Sequence, residues 1–273
     1  MERFRMSKLS DISQLSRSSM FRRGKIEKNI RVAVMDDGLI PEYTSENVRI
    51  CNYYTYTQKI SNDSDEGLLI INEEDTSVFS IDSLQNANNT RTSDQIIGHD
   101  FALGRYRSGA HGTCVVHTIL KYCEDTPVEF VIYDVFDENG SSSGMVLIEA
   151  IKDILDRNID IAVISLTCNR EYEKEFLELR KSVLEKGIII LSSASNDGKD
   201  LCPSYLDYIY GVNGDDSLAF GDYTFDKDRK YQFSCNPLSE IIRCGNEEIP
   251  FSGTSKATAV VGGILARYLY RQD

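Results

Sequence analysis

Apolar residues along this chain follow two different periods. Ile30-Arg31-Val32-Ala33-Val34-Met35 is apolar at nearly every position and then breaks at Asp36-Asp37-Gly38. A near-continuous apolar run bounded by a turn predicts a strand buried on both faces. Similar runs predict strands at Glu129–Val135, Ile159–Leu166 and Gly187–Ser193. Between them the pattern becomes helical, over His111–Tyr122, Gly144–Arg157 and Tyr172–Lys186, and a last helix is expected over Ser255–Arg271. Strands alternating with helices of this length predict βαβ units. The expected fold class is therefore α/β: a doubly wound, mostly parallel sheet with helices on both faces.

Two stretches do not follow this alternation. Residues 1–29 are polar and basic and read as an N-terminal arm, which leaves one domain over 30–273. From 40 to 98 the strand-like pieces Val48–Tyr56 and Leu68–Ile71 sit between polar tracts, Asn62-Asp63-Ser64-Asp65 and the Asn-, Ser- and Thr-rich run from Asp82 to Asp94. This region reads as elaborated connections within the domain. The first 29 residues hold no apolar core of a signal peptide, and no stretch is apolar enough for a membrane helix, so neither export by a leader nor membrane insertion is expected.

Composition narrows the function. Apolar residues make up 41% of the chain and charged residues 27%, which suits a globular domain with a sizeable core. A net charge of −13 argues against nucleic acid, whose phosphates need a basic surface, and favours substrates carrying Lys or Arg. The seven cysteines are odd in number and none forms a Cys-x-x-Cys pair. They read as reduced thiols, not a zinc site or a disulfide framework, and point to the cytoplasm.

Four segments place reactive groups at the ends of buried elements. Asp36 lies at the C-terminal end of a predicted parallel strand, where α/β sheets bind ligands; a turn-capping aspartate would look the same. His111 stands in Gly109-Ala110-His111-Gly112-Thr113 at the start of an apolar helix. It is one of three histidines. His117, six positions on, lies about 240° round the helix from it, and His99 lacks such framing. Ser255, in Ser252-Gly253-Thr254-Ser255-Lys256, falls at a helix N-terminus, where free N–H groups favour a developing oxyanion. A simple N-cap would read alike. Asn196 follows a buried strand in Ser193-Ala194-Ser195-Asn196-Asp197-Gly198, either as an oxyanion donor or as a turn residue.

Together and in this order, the four segments resemble the motifs of the subtilase family of serine peptidases. The resemblance implies a triad in which Ser255 is the nucleophile, His111 the base and Asp36 the residue that orients it. It implies an oxyanion hole made by the Ser255 N–H and Asn196. It also implies that Ser165, Leu166 and Thr167 face Ala194 and Ser195 across the pocket for the substrate's P1 residue. Family members usually have glycine at the positions of Thr167 and Ser195, so a narrowed pocket preferring small P1 residues is expected. Asp37 stands where Ser or Thr is usual, and Lys256 where Met is usual. A second carboxylate at 37 should raise the pKa of the Asp36–Asp37 pair.

The activity so implied is that of a serine endopeptidase, with trimming of a leader from a ribosomally made peptide as a narrower possibility. Peptide or protein substrates are expected, and neither nucleic acid nor membrane. The alternative is a subtilase scaffold that binds a peptide without cutting it. Residues 1–29 are too few for the family's folding prodomain but long enough to occupy the cleft. No cofactor is expected. Relatives bind Ca²⁺, yet Asn62-Asp63-Ser64-Asp65-Glu66 lacks the spaced ligand set of a known calcium loop.

Overall fold

The computed structural model describes residues 29–40, 48–59, 68–74, 109–136, 140 and 142–271. The arm at 1–29 except its last residue, His99 and the acidic loop at 62–66 lie outside these residues. A nine-stranded sheet runs through the molecule in the order β3-β2-β4-β1-β5-β6-β7-β9-β8. Its strands are β1 (Ile30–Asp36), β2 (Ile50–Lys59), β3 (Leu68–Glu74), β4 (Val128–Asp134), β5 (Ile161–Ile164), β6 (Ile189–Ser193), β7 (Tyr210–Gly214), β8 (Tyr223–Phe225) and β9 (Phe233–Cys235). All neighbours are parallel except the edge pairs β2–β3 and β8–β9. The α/β, mostly parallel architecture read from the sequence is the one found.

Alternation along β1 explains the two layers. Ile30, Val32 and Val34 point to one face and join a core with Cys114, Val115, Ile119, Val260 and Val261. These last residues belong to helices α1 (Ala110–Cys123) and α4 (Gly253–Arg271). Ala33 and Met35 point the other way, towards Ile148, Ile151, Phe176 and Val183. Those lie on α2 (Gly144–Leu155) and α3 (Glu173–Lys186). A strand covered on both faces has no solvent side, so nearly every position must be apolar.

Register sets the working edge. β1 pairs with β4 from Ile30↔Val128 to Asp36↔Asp134, so two carboxylates end neighbouring strands at the same level. β5 is shorter than expected, because the chain leaves the sheet after Ile164. The segment 202–251 was not resolved into elements by its pattern. It holds β7, β8, β9 and a separate hairpin of β10 (Glu240–Cys244) and β11 (Glu247–Phe251). No helix among the described residues is long and apolar enough to cross a membrane.

Candidate active site

The site begins where β1 ends. Asp36 is 2% exposed, and its Oδ1 accepts the Asp37 N–H at 2.8 Å. The first turn of α1 arrives over it, with N–H groups that have no helical acceptor. The Asp37 carboxyl takes two of them, from Gly112 at 2.7 Å and from His111 at 3.4 Å. Negative charge is favoured at this end of a helix. Gly112 makes the approach possible, since a Cβ there would meet the Gly38 carbonyl oxygen at 2.1 Å. Thr113 completes the junction: its hydroxyl donates to the Gly109 carbonyl (2.6 Å) and accepts the Ile40 N–H (2.8 Å).

This clamp puts His111 Nδ1 2.7 Å from Asp36 Oδ1 and 2.9 Å from Oδ2. In the neutral ring, Nδ1 then carries the proton and Nε2 is left as the acceptor. The edge of the imidazole meets Phe251, with ring centroids 5.3 Å apart. Burial by itself would push the His111 pKa down. The Asp36 carboxylate, by charge and hydrogen bond, and then Asp37 outweigh it and lift the pKa to about 9. Asp37 is raised to about 8, first by burial and then by repulsion from Asp36. His117 is buried further along α1.

The other half of the site is assembled by the start of α4. Gly253 has φ of +87°, a left-handed turn that admits the helix and leaves room beside Asn196. The Thr254 hydroxyl bridges the Ala194 carbonyl (2.7 Å) and Asn196 Oδ1 (3.1 Å). The Thr254 N–H donates to the same Oδ1 at 3.0 Å. With its oxygen held, the exposed Asn196 turns its Nδ2 to a side where no described residue accepts from it. Ser255 follows in the first turn of α4, so its N–H is also free of helical bonding. Ser255 is 8% exposed, and its hydroxyl donates to the Ser165 carbonyl at 3.3 Å, not to the imidazole.

Of the expected pocket residues, Ser165 meets this hydroxyl through its carbonyl. Ser165, Leu166 and Thr167 are half-buried just beyond β5, and Ala194, 3% exposed, directly follows β6. The Ser195 hydroxyl donates to Asp197 Oδ1 within the turn. Lys256 is 1% exposed. Its Nζ donates to the Leu238 carbonyl at 2.6 Å, lies 3.7 Å from Glu240 Oε2 and sits over the Phe220 ring. Burial lowers its pKa, and Glu240 works against that shift. Three contacts escaped the sequence reading: Asp37 on the α1 amides, Thr254 on Asn196, and the Ser165 carbonyl on Ser255. Only the first had a signal, the extra acid at position 37. No group of three or more His, Cys, Asp or Glu residues among the described residues could hold a metal ion.

A carboxylate-held histidine at a strand end, with a serine at a helix N-terminus on the same sheet edge, is the arrangement of a serine-type peptidase. The chain matches the model of the Subtilase family over residues 27–273, and it belongs to that family. Among solved structures it is similar to the prenylagaramide maturation protease PagA. The two are 18% identical, with a TM-score of 0.52, over 90% of this chain and 77% of that one. It is also similar to a mutant of the protease domain of PatA, at 16% identity and a TM-score of 0.53, over 92% of this chain and 83% of that one. No curated protein matches it.

Proposed function

We propose that the protein is a serine endopeptidase acting through an acyl-enzyme. The observation that carries this reading is the imidazole held by both Asp36 oxygens, at 2.7 and 2.9 Å, on the same sheet edge as Ser255. Ser255 Oγ leaves the Ser165 carbonyl, gives its proton to His111 Nε2 and attacks the scissile carbonyl. Asp36 stabilises the imidazolium that forms. The oxyanion receives the Ser255 N–H and Asn196 Nδ2, neither of which is spent on an acceptor among the described residues. The imidazolium then protonates the leaving amine, and water releases the acyl group by the same steps.

The substrate is a peptide or protein with a small P1 residue, because Thr167 and Ser195 place side chains where the family's pocket usually has glycine. Processing of a precursor peptide is the narrower reading, and the likeness to a maturation protease supports it. The cytoplasm is the proposed location, on the reduced-thiol reading of the cysteines. Cuts made in a diverse peptide pool, mapped by mass spectrometry, test all of this. Cleavage after small residues that vanishes in Ser255→Ala is the expected result. A profile dominated by Phe or Leu at P1 refutes the narrowed pocket. A fluorophosphonate that fails to label Ser255 in the folded protein favours the non-cutting peptide binder.

A further inference from the structure

The two segments that wall the proposed pocket are joined by a pair of cysteines. Cys168 directly follows Ser165-Leu166-Thr167, and Cys202 closes the turn that carries Ala194, Ser195 and Asn196. The two residues form an isolated antiparallel bridge. Each donates its N–H to the other's carbonyl, at 2.8 and 3.0 Å. Residues so paired lie opposite one another with side chains on one face and Cα atoms about 5.5 Å apart. That falls inside the range of about 4.4–6.8 Å that a disulfide spans. Both thiols are free.

We propose that Cys168 and Cys202 form a reversible disulfide that locks the two pocket walls together, by exchange with a small-molecule disulfide such as oxidised glutathione. Its effect on the pocket rests on the peptidase reading; the bond itself does not. Cys168 is half-buried and Cys202 is fully buried, so Cys168 meets the reagent. Its thiolate attacks one sulfur of oxidised glutathione and releases one glutathione thiolate. The Cys202 thiolate, now beside a mixed disulfide, attacks the Cys168 sulfur and expels the second. The two protein protons end on the two released glutathiones, so the protein is oxidised by two electrons and glutathione is reduced by two.

Two features make the exchange slow and reversible. Burial, and after it the neighbouring Cys202, raise the Cys168 pKa to about 12, so little thiolate exists near neutral pH. Burial also raises Cys202, against a hydrogen bond with the Tyr205 hydroxyl at 3.3 Å. Directly opposed Cβ atoms, about 4.5–5.5 Å apart, are wider than the roughly 3.5–4.5 Å of a relaxed disulfide. The bond would therefore be strained and easily reduced.

The test treats the full chain with oxidised glutathione at rising pH, blocks the remaining thiols by alkylation, and maps peptides without reduction. The expected product is a peptide linking Cys168 to Cys202, two hydrogens lighter than its parts, formed faster at higher pH and undone by dithiothreitol. A persistent glutathione adduct on Cys168, a Cys114–Cys244 link, or no link overturns the proposal. Cys114 and Cys244 are the sharpest rivals, with sulfurs 4.0 Å apart, but both are fully buried. Peptide cleavage read in parallel should change in kcat/KM on oxidation of the native chain and stay constant in Cys168→Ser. A linked peptide with unchanged cleavage overturns the pocket lock. A linked peptide on a chain that never cleaves anything instead counts against the peptidase reading and leaves the bond standing.

Discussion

The two sides of the site are built from different materials. The base side rests on charge: Asp36 holds the imidazole, Asp37 holds the helix that carries it, and both acids are almost fully buried. The nucleophile side is built around neutral dipoles: the first amides of α4, the Asn196 carboxamide and the Thr254 hydroxyl. Charge gives a short, preformed contact that is sensitive to pH. Dipoles give a hole that waits for charge to develop, and here the nucleophile rests on a backbone carbonyl until substrate arrives. The base side should therefore answer to pH, and the nucleophile side to the loss of single donors.

The largest effect should come from deleting the reacting groups. Ser255→Ala and His111→Ala are each expected to lower kcat by about 10⁶, the magnitude such deletions reach in subtilisin. The double variant should be no worse than either, because the two act as one unit. Single-turnover assays on the best peptide from the pool would show this, and clearly additive losses would break the pairing. Asp36→Asn should cost about 10⁴ in kcat, because an amide facing Nδ1 stabilises the wrong tautomer and carries no charge for the imidazolium. A loss under tenfold would mean that Asp36 does not orient the base.

Asn196→Ala probes the other side. Removing one oxyanion donor should lower kcat by about 10²–10³ with KM nearly unchanged, since the bond is made mainly in the transition state. The Subtilase relatives' magnitude applies if Nδ2 does the work. A rise in KM with kcat intact would make Asn196 a ground-state contact instead.

This difference in material also governs what could be read from the sequence. Asp36 and Asn196 were legible because each follows a long apolar run, and His111 and Ser255 because each opens an apolar helix beside glycine or other small residues. The central strands were legible because burial on both faces removes their polar positions. The segment 202–251 was not, for physical reasons: β8 and β9 have three residues each, too few to show a period. One signal there was available. Gly245-Asn246 joins β10 to β11, with Cys244 paired to Glu247, and a two-residue Gly-Asn loop marks a hairpin. The contacts that hold the site together were out of reach because they link residues far apart in the chain, such as Asp37 with Gly112 and Thr254 with Asn196.

The smallest expected effect is the one most specific to the base side. Asp37→Asn keeps an oxygen for the Gly112 N–H but removes a charge that helps lift His111 to about 9. Less negative charge favours the imidazolium less, so the neutral base appears at lower pH. The alkaline rise of kcat/KM should therefore move to lower pH by a fraction of a unit, while its plateau stays within a few-fold. Stability follows the same sign. Asp37 binds its proton more tightly folded, at about 8, than at its ordinary 3.8, so its contribution is full at acid pH and lost as pH climbs through 8. His111, raised from 6.5 to about 9, contributes fully below 6.5 and loses its share through 9. The native chain should melt at falling temperature between those limits, and Asp37→Asn should flatten that fall. If neither the pH limb nor the melting slope moves, Asp37 carries no charge at the helix end, and the base is tuned by Asp36 alone.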